Sequence, residues 1–176
     1  MSQLQNTATM RGKNTLVWER TLPISPEQLW ATIATKEGLA HWFMPTTEAI
    51  QEGGRFSFEG GWDGTIVEVS PPHAIQFNPD DDEGSYQRFE VTACEDGCIF
   101  QLIDRVGASI DATEIFFDTP PHHIYQPGGP GTHWSGVAAG YHCFVDELEG
   151  YATGVEVAFD YDELCHGYVV LLDGWF

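Results

Sequence analysis

Two segments constrain the fold more than any other part of the chain. Gly61-Trp62-Asp63-Gly64-Thr65-Ile66-Val67-Glu68-Val69-Ser70-Pro71-Pro72-His73-Ala74-Ile75-Gln76-Phe77 reads as strand, turn, strand, because Ser70-Pro71-Pro72-His73 cannot continue a hydrogen-bonded ladder. Farther along, Gly136 to Leu148 reads as a single amphipathic helix. Its apolar stripe of Trp134, Val137, Ala138, Tyr141, Phe144, Val145 and Leu148 follows the i, i+3, i+4 spacing of a helix buried on one side, and Thr132 is the expected N-cap. A curved antiparallel sheet that closes around a late helix encloses a cavity, and a cavity is a place for a ligand. The pair therefore predicts an architecture and a class of function, but no particular ligand.

The elements between them support a meander. Leu16 to Leu22 alternates, with Leu16, Trp18 and Leu22 on one face. Ser25-Pro26-Glu27-Gln28 combines an N-cap serine, a first-turn proline and a capping-box glutamine, and Leu29, Trp30 and Ile33 give the helix that follows an apolar stripe. A second helical turn runs from Lys36 to Trp42. Strands are then expected at Arg55–Glu59, Thr65–Val69, Ala74–Phe77, Tyr86–Ala93 and Ile99–Ile103, with Phe56, Phe58, Phe89, Val91, Phe100 and Leu102 facing inward. Residues 106–131 are rich in breakers and long for a plain connection, so a lid or an extra hairpin is expected there. Asp160-Tyr161-Asp162-Glu163 opens a terminal helix through Leu164, Tyr168, Val169 and Leu172.

At 176 residues, 42% of them hydrophobic, the chain fits one domain. Residues 1–14 read as a polar N-terminal segment and 15–176 as the domain, with a helical extension at about 155–176. No apolar run approaches a membrane span and residues 1–14 lack a signal-peptide core, so a cytoplasmic location is expected. The formal charge of −20, from 27 acidic and seven basic residues, argues against nucleic acid and anionic membranes as partners. Cys94, Cys98, Cys143 and Cys165 are expected as free thiols, although Cys94 and Cys98 straddle a hairpin turn where a cross-strand bridge could form.

A catalytic constellation is hard to find. Ser135 and His133 point in different directions on a helix, and there is no Gly-x-Ser-x-Gly elbow. Gly128-Gly129-Pro130-Gly131-Thr132 lacks the lysine of a phosphate-binding loop and reads as a hinge. Cys94 and Cys98 resemble half a zinc site without a second half, and His122, His123, His133 and His142 do not converge by spacing, so no metal or cofactor is expected. His142 reads as a hydrogen-bonded core or rim residue and Asp104 as a solvated strand end. If Asp104 faced the cavity, it would need a partner or a raised pKa.

The order of elements resembles the helix-grip fold of the START-like (SRPBCC) superfamily. Within it the chain is similar to the branch named after the C-terminal domain of the activator of the Hsp90 ATPase. The resemblance rests on Trp18 to Trp30, Leu39-Ala40-His41-Trp42-Phe43, Glu52-Gly53-Gly54-Arg55-Phe56, the Gly64 to Phe77 pair and the helix around Ala138-Ala139-Gly140-Tyr141-His142. It implies an α+β fold in which a curved antiparallel sheet wraps a long C-terminal helix, with two short helices after the first strand. It also implies a cavity used for apolar molecules. Hsp90 activators carry a separate docking domain before this one; only residues 1–14 precede the first expected strand here, which speaks against a co-chaperone role.

The expected function is binding of a small hydrophobic or aromatic molecule, without intrinsic catalysis, by cavity-facing Trp42, Phe56, Phe58, Trp62, Phe77, Phe89, Phe100 and Tyr141. The alternatives are a cyclase- or hydrolase-type enzyme using Asp104, His142 or Tyr141, and an interaction module that either docks on Hsp90 or forms a homodimer through the tail.

Overall fold

Strong local signals start the fold. Ser25 accepts a hydrogen bond from the Gln28 amide at 3.2 Å while the Gln28 side chain accepts from the Ser25 amide at 2.9 Å, which closes the expected capping box on helix α1 (Pro26–Ile33). Thr35 caps α2 (Lys36–Trp42) in the same way through the Gly38 amide. The computed structural model describes residues 5–12, 14–107 and 134–173. Thr132, most of the 106–131 connection, His122, His123 and His133 lie outside these residues.

Seven strands form one curved antiparallel sheet: β1 (Thr9–Arg11), β2 (Thr15–Leu22), β3 (Arg55–Phe58), β4 (Trp62–Ser70), β5 (Ala74–Pro79), β6 (Tyr86–Cys94) and β7 (Gly97–Arg105). Their spatial order is β1-β2-β7-β6-β5-β4-β3. A register shift between Ile66 and Glu68 places a bulge in β4, a device by which a strand bends. Phe56 lies directly opposite Gly64, and a Cβ there would meet the Phe56 ring at 2.6 Å, so the missing side chain makes room for the ring. The polar composition of residues 1–14 does not suggest β1, which is held by its pairing with β2.

Helix α3 (Trp134–Thr153) packs on the sheet, and α4 (Tyr161–Asp173) packs on α3. Ala138, Val145 and Leu148 of the expected stripe are fully buried, and so are Ser135 and Ala139 beside them. A helix read as buried on one side is thus also covered by α4. Asp160 caps α4 through the Asp162 and Glu163 amides. The buried face of α4 carries Leu164, Cys165, Tyr168 and Leu172, so this part of the tail belongs to the protein's own core.

Tyr168 ties the layers together. Its hydroxyl accepts from the Ala8 amide at 3.0 Å and from Trp18 Nε1 at 2.9 Å, which leaves its single proton for His142 Nδ1 at 2.8 Å. That assignment puts the imidazole proton on Nε2, facing Asp146 Oδ2 at 3.2 Å. Asp146 in turn pairs with Arg20 at 2.7 Å, and Glu149 lies 3.3 Å from the same guanidinium. Burial would raise Asp146, but the hydrogen bonds from His142 and Arg20 outweigh it and hold the carboxyl below its usual value. Burial pushes the Tyr168 phenol up to about 12. His142 is therefore a hydrogen-bonded core residue, as its sequence position suggests.

Tyr168→Phe strips three buried groups of a shared partner. By the cost of unsatisfied buried polar groups it should lower the unfolding free energy by about 2–4 kcal/mol. Urea titration should show a lower midpoint at unchanged slope.

Candidate functional site

The eight aromatic residues singled out in the sequence divide into a packed wall and an open end. Trp42, Phe56, Phe58, Phe77, Phe89 and Phe100 are each at most 2% exposed. Their rings form a continuous series, with Trp42–Phe89 centroids 5.2 Å apart, Phe89–Phe77 5.3 Å and Phe77–Phe56 5.4 Å. Such pairs add about 0.5–1.5 kcal/mol each beyond their buried area. Trp62 stacks on Phe58 at 5.2 Å, Tyr141 lies 5.3 Å from Trp18, and both are half-buried. Phe43, which follows the second helix, contacts both at 6.2 and 6.4 Å and joins the two groups.

Trp62 and Tyr141 line a pocket of about 290 Å³ at the end of this wall. Its other apolar surface comes from Pro79, Val106 and Val137. Its polar surface comes from Asp81, Asp82, Ser85, Gln87 and Asp104. Ser85 fixes the rim: its amide donates to the Asp82 carbonyl at 3.1 Å, its hydroxyl donates to the Asp82 carboxylate, and it accepts from the Gly107 amide at 2.7 Å. The turn before β6 is thereby bound to the end of β7.

Strand alternation delivers the polar groups. Asp104 continues the inward row of Phe100 and Leu102 on β7, and Gln87 continues the row of Phe89 and Val91 on β6. The two are direct cross-strand partners, and Gln87 Nε2 donates to Asp104 Oδ1 at 2.6 Å. Gln87 also acts on the nearby Tyr141 phenol, whose pKa it lowers, whereas its Oε1 is buried and has no partner. Asp104 is only 2% exposed, which corrects its reading as a solvated strand end: it shares the inward row of Phe100 and Leu102 and lines the pocket with Val137 and Tyr141 of α3. Burial raises its carboxyl to about 7, with the charge of Asp82 adding to the rise and the Gln87 bond opposing it. Tyr141 is raised well above its ordinary value, first by burial and then by Asp104.

His142, the third candidate for cavity-wall chemistry, is not here. It lines a second concavity of about 410 Å³ with Asp146, Glu149 and Glu163 from the helices, Gln5 and Asn6 from the N-terminus, and Val157 to Phe159. That space is larger, but it lies away from the interior face of the sheet, and the described basic residue nearest it, Arg20, is already paired. The smaller pocket is the better candidate because it alone joins the aromatic wall to a buried carboxyl. The sequence reading missed Gln87, Val106, Val137 and Phe43 as site residues. Parity with Phe89 and Val91 is a signal that could have found Gln87.

Cys94, Cys98, Cys143 and Cys165 are free, and Cys94 and Cys98 face Gly97 and Ala93, not each other. Among the described residues no group of three or more His, Cys, Asp or Glu is placed to hold a metal ion, and no helix is long and apolar enough to cross a membrane.

Residues 23–109 match the family model for Activator of Hsp90 ATPase homolog 1-like protein. The fold is similar to that of CalU16 from Micromonospora echinospora, at 12% identity over 91% of this chain and 86% of that one, with a TM-score of 0.66. It is similar to protein BH1534 from Bacillus halodurans, at 22% identity over 83% and 99%, with a TM-score of 0.59. A third similar structure is the Aha1 dimer from Colwellia psychrerythraea, at 13% identity over 81% and 98%, with a TM-score of 0.60. At these identities the likeness concerns the fold. No curated protein matches the sequence.

A carboxyl whose pKa is higher folded than unfolded costs stability once it ionises. The Asp104 term is therefore favourable below the unfolded value of 3.8 and is lost as pH rises through about 7. Asp104→Asn keeps the acceptor for Gln87 and removes the charge. Its unfolding free energy should match the parent's near pH 4 and exceed it above pH 8, by an increment on the order of a few kcal/mol, measured by urea titrations at a series of pH values.

Proposed function

We propose that this chain, which belongs to the Activator of Hsp90 ATPase homolog 1-like family and has its START-like helix-grip fold, binds a small apolar or aromatic molecule between the sheet and α3 without chemistry of its own. One observation carries the reading: the aromatic wall ends in a pocket of about 290 Å³ walled by Trp62 and Tyr141. That volume is at the small end of the range for ligand sites and suits one or two fused rings. Trp62 and Tyr141 are the contact residues in this reading. Trp42, Phe56, Phe58, Phe77, Phe89 and Phe100 form the rigid wall behind them.

A second reading, acid–base catalysis at the pocket wall, is favoured by the buried carboxyl of Asp104 beside the Tyr141 phenol. It would use those two groups without His142, which is engaged by Tyr168 and Asp146. Binding is preferred because neither group is paired with a nucleophile or a second base among the described residues. The reading places the protein in the cytoplasm. Self-association belongs to it as well: the Colwellia protein is a dimer, and here Val155, Phe159 and Val170 leave apolar surface exposed.

The uncharged fluorophore N-phenyl-1-naphthylamine should gain fluorescence on binding. Val137→Trp, which fills the pocket from α3, should weaken binding by about tenfold or more, equivalent to about 1.4 kcal/mol. Val157→Trp at the second concavity should leave binding unchanged. Absence of binding, or equal binding by the Val137→Trp variant, would contradict the reading.

A further inference from the structure

Asp104 has a feature that an apolar ligand does not explain. The residue is 2% exposed, and among the described residues its carboxylate accepts one side-chain hydrogen bond, from the neutral amide of Gln87. Among the described residues no Lys, Arg or His pairs with it. Arg20 is committed to Asp146 and Glu149, Arg55 to Asp80, and Arg88 to Glu68 and Glu90, while Arg105 lies over the Tyr86 ring. Every charged residue lining the pocket is an aspartate: Asp81, Asp82 and Asp104. Buried ionised carboxylates are ordinarily paired, because leaving one alone costs several kcal/mol.

A second observation points the same way. Gln87 is spent on orienting Asp104 and its Oε1 finds no donor, so the polar side of the pocket holds more acceptors than donors. Opposite it stand Trp62 and Tyr141, whose ring faces attract cations. The rest of the lining is apolar.

We propose that the pocket selects a small aromatic or apolar molecule bearing a protonated amine, with the ammonium on Asp104 and the apolar body against Trp62, Tyr141 and Val137. The inference rests on the binding function proposed above and specifies its ligand class. An ammonium would supply the missing counter-charge, and its remaining N–H groups could meet Asp82 at the rim. Burial has already raised the Asp104 carboxyl to about 7, so a cation beside it would draw the proton off and leave an ion pair in place of a neutral acid. The overall charge of −20 raises the local concentration of cations around the site. The second concavity is also acidic, but its innermost carboxylate, Asp146, already has Arg20.

Three probes of one shape separate the outcomes by calorimetry at pH 8: naphthalen-2-ylmethanamine, naphthalen-2-ylmethanol and naphthalene-2-carboxylate. The intact protein should bind the amine about tenfold or more tightly than the alcohol, with the carboxylate weakest. In Asp104→Asn the ratio of amine to alcohol affinity should fall close to one. If alcohol and amine bind equally, or the carboxylate binds best, the amine preference is overturned while binding in the pocket stands. If the amine preference persists in Asp104→Asn, the ammonium sits elsewhere and the assignment to Asp104 is overturned. If none of the three binds, the binding function itself falls and this inference with it.

Discussion

Side chains on a strand alternate between faces, and the consequences of that constraint run through the whole structure. It places Phe100 and Leu102 on the buried face of the sheet, and by the same parity it must place Asp104 there; Phe89 and Val91 likewise bring Gln87 with them. On β2 the rule that buries Leu16, Trp18 and Leu22 also turns Arg20 inward. A sheet that presents one face to a helix cannot exempt the polar residues that share that face. Each must find a partner or be poised for one.

The two inward charges are treated differently. Arg20 meets Asp146 and Glu149 on α3, and the chain of bonds continues through His142 to Tyr168, Trp18 and the Ala8 amide. In that network each charge has a counter-charge, and it fastens the N-terminal segment, the sheet and both late helices to one another. Among the described residues Asp104 is hydrogen-bonded by the Gln87 amide and lies near the Tyr141 phenol of raised pKa, beside a pocket. The first arrangement reads as structure. The second reads as a site, because a buried carboxyl without a counter-charge is costly unless something arrives to match it.

Much of the fold was legible in the sequence because its signals are local. The Ser25–Gln28 capping box, the Pro71-Pro72 turn and the alternation in β6 and β7 need no distant partner to be read. β1 was not legible, since three residues, Thr9, Met10 and Arg11, are too few to show a pattern of their own and are held by pairing with β2. Six of the eight aromatic residues are buried, but composition does not reveal which rings close on each other and which border open space. That division, Trp62 and Tyr141 at the pocket and the other six behind it, depends on how α3 lies across the sheet. The burial of Asp104 is hidden for the same reason: the residues that share its pocket, Val137 and Tyr141 among them, lie far away in the chain. Gln87 could have been found, because parity with Phe89 was already in hand.

If ligands enter between the sheet and α3 at the Gln87–Asp104–Tyr141 end, isotope-labelled NMR of the side-chain N–H groups during titration with naphthalen-2-ylmethanol should register it there. The Trp62 indole and the Gln87 amide should shift together and saturate at one concentration, while the Trp42 indole, buried in the wall, stays in place. Shifts confined to Asn6 and its neighbours at the second concavity, with Trp62 and Gln87 unmoved, would contradict it.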